Sequence, residues 1–172
     1  MSIKIETDRL ILRELQPADV SGMFKLDSDP QVHKFLGNKP VTTIAQSLAD
    51  IAFIQQQYIT NGIGRWAVIE KESNQFVDWS GLKLITETYN GYSNYYDLGY
   101  RFIRKFWGKG YATESAQAVL QFGFNVLKLK EIISIADVQN AASIHVLEKL
   151  GLEKVNAFDY LGKSHYWLSL KK

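Results

Sequence analysis

The stretch YYDLGYRFIRKFWGKGYATESAQAVLQFGF, Tyr95 to Phe124, changes period halfway along. Tyr96, Leu98, Tyr100 and Phe102 alternate onto one side, the pattern of a half-buried strand. From Tyr111 to about Leu127 the apolar spacing turns helical, with Ala112, Ala116, Val119, Leu120 and Phe124 facing inward. Between the two stands FWGKGYATESA, Phe106 to Ala116, with Gly108 and Gly110 interleaved by Lys109 and preceded by Lys105. A helix N-terminus exposes free N–H groups and a partial positive charge, and glycine lets the backbone approach an anion closely. Such a loop is compatible with a plain surface turn and with an anion cradle, and the stretch alone does not choose. It is not a P-loop, which needs G-x-x-x-x-G-K-[ST]. Nor is it the three-glycine dinucleotide fingerprint, because Thr113 stands three after Gly110.

Upstream, RLILREL (Arg9 to Leu15) is a run of strand length. QPADVSGMFKL then starts a helix at Pro17 with Val20, Met23 and Phe24 on one face, and Pro30 opens another short one. Ile44, Leu48, Ile51 and Tyr58 recur at helical spacing until Asn61-Gly62 supplies a stop. RWAVIEK and FVDWSGLKLI read as strands joined across ESNQ, and YNGYSN is a second turn cluster. Downstream, EIISIAD is a buried strand, NAASIHVLEKLG a compact helix ended by Gly151, and LEKVNAF and HYWLSL are closing strands. The expected fold class is α/β of the α+β type. It is a mixed, mostly antiparallel sheet of about seven strands flanked by about four helices, with a parallel pair around the Tyr111 helix, as one domain over residues 1–172.

Composition narrows the function classes. With 20 basic and 18 acidic residues the net charge is +2, so no broad basic field points to nucleic acid. The hydrophobic fraction of 46% argues for a packed core. Cysteine is absent, which removes disulfides, thiolate-bound zinc and a thiol nucleophile. His33, His145 and His165 show no metal-ligand spacing and read as satisfied or surface histidines; no metal is expected. No stretch approaches the ~18 apolar residues of a membrane helix, so a soluble cytoplasmic protein without membrane or nucleic-acid partners is expected.

A second unit, DVQNAASIHVLEKLG, places Asn140 between a strand and a helix and Ser143 on that helix's first turn. Asn140 reads first as an N-cap, and Ser143 as a hydroxyl bonding backbone. If the flanking strands are parallel neighbours, both helices begin at the same sheet edge, where such folds bind ligands.

Together, DLGYRFIRKFWGKGYATESAQAVLQFGF and NAASIHVLEKLGLEK resemble the acetyl-CoA-binding core of the GNAT N-acetyltransferases. The opening IETDRLILRELQPADVSGMFKLDSDPQVHKFL, and GLKL at Gly81, resemble the branch that acetylates ribosomal-protein N-termini. The resemblance implies acetyl-CoA as donor, a splayed parallel strand pair, and direct attack by an acceptor amine, from a protein N-terminus or a small molecule such as an aminoglycoside or polyamine. A non-catalytic acyl-CoA sensor is the alternative, and the protein is expected as a monomer or homodimer. The family's Q/R-x-x-G-x-G/A loop maps onto Lys105, Gly108 and Gly110, so the N–H groups around Trp107, Gly108, Lys109, Gly110, Tyr111, Ala112 and Thr113 would hold the pyrophosphate. Phe102 and Ile103 would bond the pantetheine arm through their backbone, and Asn140 would reach it too. Lys105 departs from Gln or Arg, and Leu147 stands where many members carry a tyrosine acid, leaving Ser143 as the substitute beside the leaving thiolate. Asp97 matches the acidic position of the family's A-E-x-G-Y run, as base or amine-orienting group; as a merely structural carboxylate its expected partner is Arg101.

Overall fold

The computed structural model describes residues 3–172. In chain order the elements are β1 (Lys4–Glu6), β2 (Leu10–Glu14), α1 (Val20–Asp27), α2 (Pro30–His33) and α3 (Ile44–Asn61). They continue with β3 (Arg65–Glu70), β4 (Gln75–Ile85), β5 (Tyr95–Phe102), α4 (Tyr111–Asn125), β6 (Glu131–Asp137), α5 (Ala141–Lys149), β7 (Glu153–Tyr160) and β8 (Lys163–Lys171). The strands form one sheet in the order β1-β2-β3-β4-β5-β6-β8-β7. Every neighbouring pair is antiparallel except β5 and β6, which α4 connects as a crossover. The sheet therefore has eight strands rather than about seven. The unexpected one is β1, three residues long, whose one apolar side chain, Ile5, is half-buried against the core.

Local chemistry explains the elements that matter. Thr43 caps α3 through a reciprocal box with Gln46, and Gly62 ends it at φ +68°. Asn140 caps α5, its Oδ1 accepting from the Ser143 N–H at 3.2 Å. α4 ends at Asn125, two residues before its expected end.

Side chains alternate across β5. Leu98 and Phe102 pack with Tyr111, Ala116, Val119 and Leu120 of α4, with Ile144 and Leu147 of α5, and with Ile132 and Ala136 of β6. Asp97, Gly99 and Arg101 face the other way, Asp97 meeting Arg65 of β3 and Arg101 meeting Asp27 of α1. A second cluster of Leu15, Met23, Ile51, Ile54, Ala67 and Ile69 seats α1 and α3 on that opposite face.

Candidate active site

The glycine loop takes a conformation that requires glycine. Gly108 and Gly110 have φ of +76° and +78°. Nothing lies within 4 Å of a Cβ built on Gly108, so the dihedral rather than lack of space makes the demand. Gly110 is the N-cap of α4 and brings no capping side chain, which leaves the N–H groups of residues 111–113 open at the positive end of a fifteen-residue helix. Arg9 clamps the loop from the side. Its guanidinium donates to the Lys109 carbonyl at 2.8 Å and to Glu114 at 2.7 Å, and lies 4.5 Å over the Tyr111 ring. Glu114 also accepts from the Thr7 hydroxyl and the Arg9 N–H, at 2.6 and 2.9 Å. Lys105 leans toward Gln75 at 3.3 Å and Lys109 toward Glu70 at 3.5 Å, so both cations flank the loop. Open N–H groups, two lysines and a side-chain-free cap fit a diphosphate.

From this loop a gap runs into the sheet. Pairing between β5 and β6 is confined to Asp97 opposite Ile133, and the Ser134 hydroxyl donates to the Leu98 carbonyl at 2.9 Å. Beyond Leu98 the two strands part. By strand alternation the main-chain groups of Tyr100 and Phe102 point into the gap, as those of Leu98 do. The Phe102 carbonyl is taken by Trp107 Nε1 at 2.9 Å, and the Ile103 N–H by the Val77 carbonyl at 3.0 Å. Of the expected pair, Phe102 thus keeps its N–H toward the gap while Ile103 turns its own to β4. On the α4–α5 face, the Tyr100 phenol reaches Ser143, 3.2 Å from Oγ and 3.3 Å from its carbonyl. Leu147 is fully buried in the core.

On the opposite face, Asp97 is paired with Arg65 rather than with Arg101. Arg65 Nη2 is 2.5 Å from Asp97 Oδ2, and Nη1 donates to the Gly81 carbonyl at 2.7 Å and to the Asp97 carbonyl. Asp97 Oδ1 is buried without a hydrogen-bond partner. Burial pushes the Asp97 carboxyl up from its ordinary range, with the Arg65 charge working against that rise. Arg101 instead meets Asp27 at 2.6 Å, and its guanidinium lies 4.8 Å over the Trp79 ring. His33 sits 3.5 Å from the same Asp27 oxygen, with neither ring nitrogen hydrogen-bonded, contrary to the expectation of a satisfied or surface histidine. Beyond Asp97, Tyr92 stacks on Trp167 at 5.1 Å, Tyr95 meets it edge-on at 4.8 Å, and Tyr89 packs against Tyr160.

A cradle for phosphate, a splayed parallel pair and polar groups on both faces of the split suit a donor with a diphosphate and an extended arm. The acetyltransferase (GNAT) domain family matches residues 9–153. This chain belongs to the GNAT acetyltransferases. An uncharacterised N-acetyltransferase, p20, of Bacillus licheniformis is 30% identical over 86% of this chain and 81% of its own length. A GNAT-family acetyltransferase from Bacillus anthracis superposes with a TM-score of 0.81 at 24% identity, covering 98% of each chain. RimL, a ribosomal L7/L12 α-N-protein acetyltransferase solved with coenzyme A, superposes with a TM-score of 0.83 at 16% identity, again over 98% of each chain. As a GNAT acetyltransferase the protein uses acetyl-CoA to acetylate an amine. No helix is long and apolar enough to cross a membrane, and no metal-binding cluster occurs among the described residues.

The structure gathers Phe102, Trp107, Gly108, Lys109, Gly110, Tyr111, Ala112 and Thr113 around one loop and gap, with Ser143 across it and Asp97 on the far face. Tyr111 contributes only its backbone there, since its phenol is turned to Glu70 at 2.5 Å. Asn140 spends its side chain on the α5 cap. Sequence reading missed Arg9, Arg65 and Tyr100. Arg9 carries no local signal, whereas Tyr100 is visible as an alternating aromatic whose hydroxyl has no partner nearby in sequence.

Proposed function

We propose that the acceptor is a primary amine at a protein N-terminus, which attacks the acetyl-CoA thioester directly in a ternary complex. The carrying observation is the opening of the β5–β6 pair beyond Leu98, with the uncapped α4 terminus at its mouth and Asp97 on the opposite face. The donor's pyrophosphate lies on the N–H groups of residues 107–113, flanked by Lys105 and Lys109, and its pantetheine arm bonds the free Phe102 N–H and passes the α5 cap at Asn140. The gap-facing N–H groups of β5 stabilise the oxygen charge that develops as the amine adds. Asp97 Oδ1, buried and without a partner, orients the amine and takes its proton. Ser143 faces the departing sulfur. The wall of Tyr89, Tyr92 and Tyr95 beside Asp97 offers an apolar groove for the first residues of a peptide, and the narrower resemblance of the opening segment to the ribosomal-protein branch favours that acceptor.

The protein is incubated with acetyl-CoA and a panel of ribosomal-protein N-terminal peptides, aminoglycosides and polyamines, with free thiol and acetylated products followed together. Acetylation of a peptide α-amine is expected. Transfer only to small amines overturns the N-terminal reading and leaves the acetyltransferase in place. Asp97→Asn is expected to slow turnover by ~10²-fold or more, the range for a lost general base, with coenzyme A affinity unaltered in calorimetry.

A further inference from the structure

The phenol of Tyr100 crosses the gap between the two arms of the split sheet and ends on the first turn of α5, 3.2 Å from Ser143 Oγ and 3.3 Å from the Ser143 carbonyl. Three features make this more than a packing contact. Leu98 is tied across to β6 by Ser134, so the gap closes two residues before Tyr100 and a donor arm lying in it ends beside this hydroxyl pair. Ser143 is fixed independently, because its N–H is held by the Asn140 side chain at 3.2 Å. The pair also lies on the α4–α5 face, whereas Asp97 lies on the other, so groups for the two ends of a transfer are separated by the sheet itself.

We propose that Tyr100 is a positioning residue for the leaving group. It holds the Ser143 hydroxyl so that Ser143 donates its hydrogen to the coenzyme sulfur as the acetyl group departs. This inference rests on the acetyl transfer proposed above. In the step, the acceptor nitrogen forms the new bond to the acetyl carbon and the C–S bond breaks, with the electron pair going to sulfur. The nitrogen's proton leaves on the Asp97 side. The sulfur, carrying the charge, takes the Ser143 hydrogen bond and afterwards a proton from water, which an ordinary thiol pKa near ~8.5 makes favourable at neutral pH. Either hydroxyl can donate in the Tyr100–Ser143 contact; in the proposed arrangement the phenol is the donor, its hydrogen shared between Ser143 Oγ and the Ser143 carbonyl, which leaves the Oγ hydrogen for the gap. Burial pushes the Tyr100 phenol up to about 12, which keeps it a neutral donor throughout. Two hydroxyls in series polarise one another, strengthening the terminal hydrogen bond.

The test compares the intact protein with Tyr100→Phe, Ser143→Ala and the double variant, at saturating amine and with two donors, acetyl-CoA and its selenoester analogue. A selenolate is a far weaker base than a thiolate and leaves with little help. With acetyl-CoA, each single variant is expected to lose about tenfold in kcat at nearly constant KM, and the double variant no more than Ser143→Ala alone. With the selenoester both losses shrink toward unity. An unchanged kcat in Tyr100→Phe overturns the proposal, as do losses that multiply in the double variant, or equal losses with both donors, which a purely structural role gives. A wild-type protein whose thiol release is raised by no amine on the panel removes the direct attack by an amine and this inference together. Removal of one hydroxyl leaves the Tyr100 ring in place, and an unshifted Tm checks that Tyr100→Phe remains folded.

Discussion

Arg65 reaches from β3 past β4 to hold Asp97 on β5, with Gly99 leaving room for its guanidinium and Gly81 for its backbone. A Cβ on Gly99 would stand 2.6 Å from Arg65 Nη2, and one on Gly81 3.1 Å from the Arg65 Cα. The guanidinium is nine-tenths buried, lies 5.4 Å from the Trp79 ring and leaves its Nε unpartnered. Removing one partner of a buried pair strands the other, so Arg65→Met is expected to cost about 3–5 kcal/mol in urea unfolding. Adding Asp97→Asn should recover part of that loss; strictly additive losses would mean the two side chains are not coupled. Asp97 itself is legible in the sequence as a carboxylate entering a glycine loop. Its partner is not, because Arg101 lies nearer along the chain, and only the order β3-β4-β5 brings Arg65 closer. Arg101 is drawn off by Asp27, a helix residue that no strand pattern could connect to it.

At the scale of the element, α4 shows what pattern reading captures. Its period, its glycine entry and its place between two strands are all local features, and the parallel crossover follows from them. The clamp of Thr7, Arg9 and Glu114 that fixes the loop is not legible, since it joins residues more than a hundred positions apart. β1 escaped because it is only three residues long, too short for its alternation to stand out. At Gly110, at φ +78°, a β-branched residue is strained, and its Cβ would stand 3.5 Å from the Arg9 guanidinium that clamps the loop. Gly110→Val is expected to abolish coenzyme A binding in calorimetry and to lower stability by about 1–2 kcal/mol, with the circular dichroism of the folded protein retained. Unaltered affinity would remove the cradle from this loop.

For the whole molecule, the polar cluster under α1–α3 sets a pH response. Burial, and then the Arg101 charge, hold the His33 pKa below its ordinary value, with Asp27 opposing them. Below about pH 6.5 the unfolded chain takes a proton that the folded His33 resists. His33 therefore leaves stability intact at neutral pH and subtracts from it as pH falls through the folded value. Asp50 and Asp97, both raised chiefly by burial, act with the opposite sign at lower pH. The informative quantity is thus the difference between the protein and His33→Gln. Thermal unfolding from pH 7.5 to 5 is expected to show the variant losing less Tm than the parent. Parallel curves would show that the imidazole titrates as freely folded as unfolded.

The meeting of β5 and β6 at Asp97 and Ile133 has one more consequence. Above that point the two strands have no further paired residues, and the Phe102 N–H stays turned to the gap. In the proposed complex an extended arm of amides, which is what pantetheine is, supplies the absent rungs. On that proposal the donor is an interior strand lent to the protein for one turnover. When it leaves, the sheet returns to two panels joined at Asp97–Ile133 and by the Ser134–Leu98 hydrogen bond.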